Sequence, residues 1–63
     1  MLSKNLKHFR EKKRYSKLRL ARETGLSARC IENIEHEKTK SPQIETIKKL
    51  SKILDVPLEE LLE

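Results

Sequence analysis

The sequence has no tryptophan and only one phenylalanine, one tyrosine, one cysteine and one glycine in 63 residues. A single cysteine, Cys30, excludes an internal disulfide and a cysteine metal cluster. It has no identified base or cationic setting to make it a nucleophile, so it reads as a small, partly buried hydrophobe. No apolar run approaches membrane-spanning length. Met1-Leu2-Ser3-Lys4 leads into a charged segment and not into a signal-peptide core, so a cytoplasmic protein with no membrane partner is expected. The shortage of aromatics also speaks against a membrane-surface helix in residues 1–15. Repeats, low-complexity stretches and linkers are missing, and residues 1–63 read as one domain. No triad, metal-ligand spacing or phosphate loop supports an enzyme, a metal or a cofactor. His8 lacks a second His or carboxylate placed to help it and reads as a solvated surface residue. A chain this short buries only about 60% of the surface its unfolded form exposes, too little to enclose a cofactor and a reaction chamber.

What the chain has in quantity is charge. Charged residues make up 40% of it, and the formal net charge is +5. The charge is unevenly spread: residues 1–22 hold nine Lys/Arg against Glu11 alone, whereas residues 23–63 hold six against nine Asp/Glu. One end should be strongly positive and suited to a polyanion, with the acidic tail around Asp55, Glu59, Glu60 and Glu63 turned away from it.

The apolar pattern is helical throughout. Leu2, Leu6, Phe9 and Lys13 share one face of a first helix that Ser3 can cap, with Lys4, Lys7, Glu11 and Lys12 on the wet side. Arg14-Tyr15 connects to a second helix, about Lys17 to Thr24, capped by Ser16 and packed through Leu20, Ala21 and Thr24. Gly25 can take positive φ past that helix end, and Ser27 can cap a third helix from about Ala28 to Glu35 or His36. Ala21 is small where a crossing helix comes close, and Ile31 and Ile34 close over it. A polar basic loop follows. Ser41-Pro42 should open a fourth helix with Ile44, Ile47, Leu50 and Leu54 inward. Asp55-Val56-Pro57 breaks the chain, and Leu58 to Leu62 forms a last turn. Val56, Leu58, Leu61 and Leu62 are too apolar for a free tail; some should close the core, and the surplus could meet a second copy.

The second and third helices read as a helix-turn-helix whose second member presents Ala28, Arg29, Glu32 and Asn33 outward, a shape that fits the major groove of DNA. Lys17 and Arg19 sit in the first turn of the second helix, where the helix dipole prefers acids at about 0.3–1 kcal/mol each. A phosphate docked there would offset the conflict; the plainer alternative is two exposed cations screened by salt.

With these pieces placed, the whole chain resembles the Cro and phage-repressor type of helix-turn-helix domain, as in the lambdoid phage repressors. The resemblance rests on Leu6, Phe9-Arg10, Ser16, Leu20-Ala21, Gly25-Leu26-Ser27, Ile31, Ile34-Glu35, Lys38, Pro42, Glu45-Thr46, and Leu54-Asp55-Val56 through Glu60-Leu61. It implies an all-α fold, a compact five-helix domain of the lambda repressor-like kind, binding double-stranded DNA as a symmetric homodimer. Arg10 and Glu35 match a buried ion pair between the first helix and the end of the third. Base reading falls to Ala28, Arg29, Glu32 and Asn33, and the chemistry agrees: arginine pairs bidentately with guanine, asparagine with adenine, and an alanine methyl packs on thymine. Glu32 could accept from cytosine or brace Arg29. Phosphate contacts fall to Ser16, Lys17, Ser27, Lys38, Lys40 and Ser41, with Arg14 and Arg22 as further candidates. Lys17 stands where glutamine is usual, Arg14 and Glu37 where glycine often follows the first and third helices, and Gln43 where some relatives place a minor-groove arginine.

The expected function is a sequence-specific DNA-binding transcriptional regulator, a repressor on a near-palindromic operator, performing no chemistry. The alternative is an antitoxin-like regulator that uses the same fold to hold a protein partner, suggested by the apolar stretch from Leu58 to Leu62.

Overall fold

The computed structural model describes residues 1–39 and 41–63. Five helices follow in chain order: α1 (Leu2–Lys12), α2 (Lys17–Thr24), α3 (Ala28–Glu35), α4 (Ile44–Leu54) and α5 (Leu58–Leu62). No strand occurs among the described residues. Helix α1 packs on α3, α4 and α5, while α2 packs on α3 and α4, and α5 closes against α4. The centre is built from Leu6, Leu20, Ala21, Ile31, Ile34, Ile47, Leu50, Leu54 and Leu61. Five of these, Leu6, Leu20, Ile31, Leu50 and Leu61, are fully enclosed. Each such burial is worth about 1.5–3 kcal/mol, and every helix contributes at least one, so no helix is a mere appendage.

The serine caps of α2 and α3 form as their spacing requires. Ser16 Oγ accepts from the Arg19 amide at 3.0 Å, and Ser27 Oγ accepts from the Cys30 amide at 3.0 Å. Two other helix starts differ from the sequence reading. Helix α1 begins two residues earlier, with Met1 at the cap, so Ser3 lies inside the first turn. Ser3 is buried there, and its Oγ has no hydrogen-bond partner among the described residues. A hydroxyl in a first turn has no carbonyl of a preceding turn to donate to. Helix α4 begins at Ile44 with Gln43 as its cap, and not at Ser41-Pro42. Gln43 is extended, at φ −65° and ψ 145°, and its carbonyl receives the amides of Thr46 and Ile47. This start places Ile44 at the tip of the helix, where it is 49% exposed and not part of the buried face. Ile53 packs against the core from the same helix.

Three helices end in one geometry. After α1, the Tyr15 amide donates to Arg10 O (3.0 Å) and the Arg14 amide to Glu11 O (2.9 Å). After α3, the Lys38 amide reaches Asn33 O and the Glu37 amide reaches Ile34 O. After α4, Val56 and Asp55 make the equivalent pair to Ser51 O and Lys52 O. This is the Schellman pattern, which needs a left-handed residue, and glycine fills that place most easily. Here it is filled by Arg14 (φ 60°), Glu37 (φ 58°) and Asp55 (φ 58°). A left-handed side-chain-bearing residue costs roughly 1–2 kcal/mol, less for aspartate. The one glycine, Gly25, ends α2 at φ 79°. A Cβ built there would meet nothing within 4 Å, so its requirement is one of backbone conformation and not of space.

The chain end is tied down by a side chain. The Asn5 amide on α1 donates to Glu60 O and Leu61 O, both at 3.1 Å, satisfying carbonyls at the end of α5. Leu61 fills the core, whereas Leu62 is 45% exposed.

Candidate nucleic-acid interface

The α2–turn–α3 unit is held from within. Leu20 and Ala21 of α2 meet Ile31 and Ile34 of α3, all buried. The Thr24 hydroxyl donates to Leu20 O at 2.8 Å and accepts from the Leu26 amide at 3.3 Å, so one side chain finishes α2 and steers the turn. With Ile31 and Ile34 inward, the 3.6-residue period turns the opposite face outward. Arg29 and Glu32 are exposed on it, and Ala28 and Asn33 are half-buried at its margins.

Helix α3 is fixed from behind by Arg10. Its Nε donates to Glu35 Oε2 at 2.7 Å and its Nη2 to Glu35 Oε1 at 3.2 Å, a bidentate arrangement. Nη1 donates to Tyr15 O at 2.7 Å. The two side chains are 9% and 1% exposed. Arg10 also accepts the Tyr15 amide on its own carbonyl, so one residue clamps the α1–α2 connection and the end of α3 together. A guanidinium suits this role because its planar fork serves carboxylate and carbonyl at once.

The positive approaches flank the exposed face. Ser16 and Ser27 are exposed at the N-termini of α2 and α3. Their oxygens accept cap hydrogen bonds, which leaves each hydroxyl hydrogen for an anion. Lys17 Nζ lies 3.5 Å from Glu32 Oε1, so Glu32 meets Lys17 across the two helices and not Arg29. Arg19 stacks over the Tyr15 ring, 4.3 Å from its centroid, a contact absent from the sequence reading although the i, i+4 spacing offered it. Lys38 and Ser41 are exposed beyond α3, as are Arg14 and Arg22 near α2. Gln43 is exposed as well. Lys40 lies outside the described residues.

The rest of the titratable chemistry is dispersed. Among the described residues no three His, Cys, Asp or Glu side chains gather to hold a metal. Cys30 is a free, half-buried thiol. His8 is exposed and meets the Phe9 ring edge-on at 5.1 Å. No helix among the described residues is long and apolar enough to cross a membrane.

A crossed helix pair with one charged face, caps open to anions and a buried clamp behind has counterparts among known proteins. The model of the Cro/C1-type HTH DNA-binding domain matches residues 5–63. The HTH-type transcriptional regulator SinR of Bacillus subtilis is 32% identical over 63 residues, covering all of this chain and 57% of that protein. SinR of Bacillus licheniformis is 32% identical over 62 residues, with 98% and 56% covered. The chain thus spans little more than half the length of these relatives. Among solved structures, that of the master regulator for biofilm formation SinR in complex with DNA superposes with a TM-score of 0.95 at 32% identity, all of both chains being covered. The N-terminal DNA-binding domain of Bacillus subtilis SinR gives 0.94 over all of this chain and 91% of the other. The chain belongs to the Cro/C1-type helix-turn-helix DNA-binding domains.

Proposed function

We propose that residues 1–63 form one DNA-reading domain of a cytoplasmic transcriptional regulator, a repressor that binds a near-palindromic operator as a homodimer. The observation that carries this reading is the outward face of α3. Arg29 and Glu32 project from it while Glu35, one turn beyond Glu32 and turned in toward α1, is buried and locked to Arg10. In this reading Ala28, Arg29, Glu32 and Asn33 contact base edges in the major groove. Ser16, Lys17, Ser27, Lys38 and Ser41 hold phosphates on either side, and Lys40 joins them. Two copies related by a two-fold axis would set their α3 helices about 34 Å apart, one helical turn of DNA. That SinR, similar along this whole chain, has been solved with DNA supports the class of ligand.

The test is selection of binding sites from random duplex DNA, followed by affinity measurement across salt concentrations. Log affinity should fall by roughly 0.9 for each phosphate contact per decade of salt. Arg29→Ala should relax preference at one base pair per half-site, at a cost of about 1–3 kcal/mol. Lys38→Ala should instead weaken all sequences alike and lower the salt slope by about 1. A flat salt dependence would defeat the reading, and exchanged effects of the two variants would overturn the assignment of roles. A second reading, a regulator that holds a protein partner, is favoured by the exposure of Leu62 at the end of α5. Co-purification of a tightly bound protein with the chain, together with no selected DNA site, would favour it.

A further inference from the structure

The recognition face contains an apparent contradiction. Glu32 places a carboxylate in the middle of the surface that would meet a polyanion, next in sequence to Asn33 and one helical turn from Arg29. Lys17 places an ammonium at the first position of α2, where the helix dipole opposes it. Each is unfavourable alone. Their charged atoms lie 3.5 Å apart, with the side chains 35% and 51% exposed. So exposed a pair adds little to folding stability, and stability gives no reason for setting it on this face.

We propose that Lys17 is a positioning residue for base recognition: it neutralises Glu32 and holds its carboxylate so that Oε2 accepts from the amino group of cytosine. The proposal rests on the DNA-reading function above and assigns chemistry within that site. The ammonium engages Oε1, leaving the second oxygen for the base. Cytosine presents an N4 amino donor in the major groove, the partner a carboxylate can recognise. Lysine carries three donors, so the same ammonium can also meet a phosphate. Base and backbone recognition are then coupled through one side chain. Arg29, left unpaired by Glu32, retains its donor fork for guanine. Without Lys17, Glu32 would be an uncompensated anion facing phosphates, and DNA of any sequence would be repelled.

The experiment is a double-mutant cycle of the 63-residue chain with Lys17→Met, Glu32→Gln and the combined variant, with Lys17→Arg as the conservative control. Sites are selected from random duplex DNA for each protein. Dissociation constants are then measured on the parent's preferred site and on duplexes altered at the base pair whose preference Glu32→Gln changes. That pair should carry cytosine for the parent and for Lys17→Arg, and lose the preference in Lys17→Met. Lys17→Met should bind about tenfold more weakly than the parent, and adding Glu32→Gln should recover most of that loss. A Lys17→Met variant with the parent's base preference would overturn the proposal. So would single-variant losses that simply multiply in the double variant, which would make Lys17 an independent phosphate anchor. A parent that enriches no sequence would defeat the DNA-reading function itself, a result seen before any variant is compared.

Discussion

Two carboxylates on α3, three residues apart, are each held by a cation from an earlier helix, and the two arrangements are opposites. Glu35 is enclosed, 1% exposed, and receives two hydrogen bonds from a guanidinium. Glu32 is half open and meets a flexible ammonium at one oxygen, at 3.5 Å. Burial makes the first contact costly to break: the remaining charge would lose both its partner and its water. Exposure makes the second weak, about 0–1 kcal/mol in stability, and able to be exchanged for an external ligand. The buried carboxylate thereby fixes the helix to the body of the domain, while the exposed one, a turn earlier, stays available. The choice of arginine for the enclosed pair and lysine for the open one follows the same division, since a planar fork fits a fixed bidentate site and a mobile point charge fits a changing one.

The largest test of this contrast is Arg10→Met. It strands Glu35 and removes the donor to Tyr15 O, so it should cost on the order of 3–5 kcal/mol. A domain of this size has a total stability on the order of 5 kcal/mol, so the variant should sit near its unfolding midpoint at room temperature. Chemical denaturation would measure this. At low temperature the folded fraction should select the same DNA sites as the parent, because no base-facing side chain changes. A melting curve matching the parent's would break the contrast from its structural side.

An intermediate test lies at the end of α3, two residues beyond Glu35. Glu37 sits at φ 58°, a conformation glycine adopts freely. Glu37→Gly should stabilise by about 1 kcal/mol through removal of that strain, less the added freedom of the unfolded chain. It also removes an anion from the approach to DNA, so all sequences should bind somewhat more tightly with base preference unchanged. Stability and affinity would then rise together, which separates the backbone geometry of α3 from its reading face. A drop in melting temperature would mean that the carboxylate contributes more than its backbone costs.

Much of this was legible in the sequence where the signal is local. Ser16, Gly25 and Ser27 mark the ends of α2 and α3 because a hydroxyl accepts from an amide three residues on and a glycine turns left-handed, both decided within one turn. The same reasoning failed at Ser3 and at Ser41-Pro42. Cap-like residues occur there, but packing of Leu2 and an extended Gln43 decide where the helix starts, which leaves Ile44 exposed at the tip of α4 although its spacing matches the buried face. The Arg10–Glu35 contact came only from resemblance, since 25 residues separate the partners. Lys17–Glu32 and the Asn5 amide at α5 had no sequence signal at all. Such pairs depend on how whole helices cross, which no local pattern specifies. The glycines that often stand at the positions of Arg14 and Glu37 in the family fit the positive φ found there, whereas nothing comparable points to Asp55.

The smallest test concerns Ser3, two turns before Arg10 on the buried face of α1. It borders a pocket of about 350 Å³ where the start of α1 meets the end of α3, lined also by Met1, Leu2, Ile34, Glu37 and Thr39. The oxygen itself is buried without a partner among the described residues. Ser3→Ala removes that unpaired group and substitutes a better helix former, so it should stabilise the fold by up to about 1 kcal/mol. Paired denaturation curves of parent and variant would resolve such a difference. DNA affinity and base preference should be untouched, because the residue lies behind α3 and contributes nothing to its outward face. A loss of stability would instead mean that the hydroxyl's packing between the start of α1 and the end of α3 outweighs the cost of its unmade hydrogen bond.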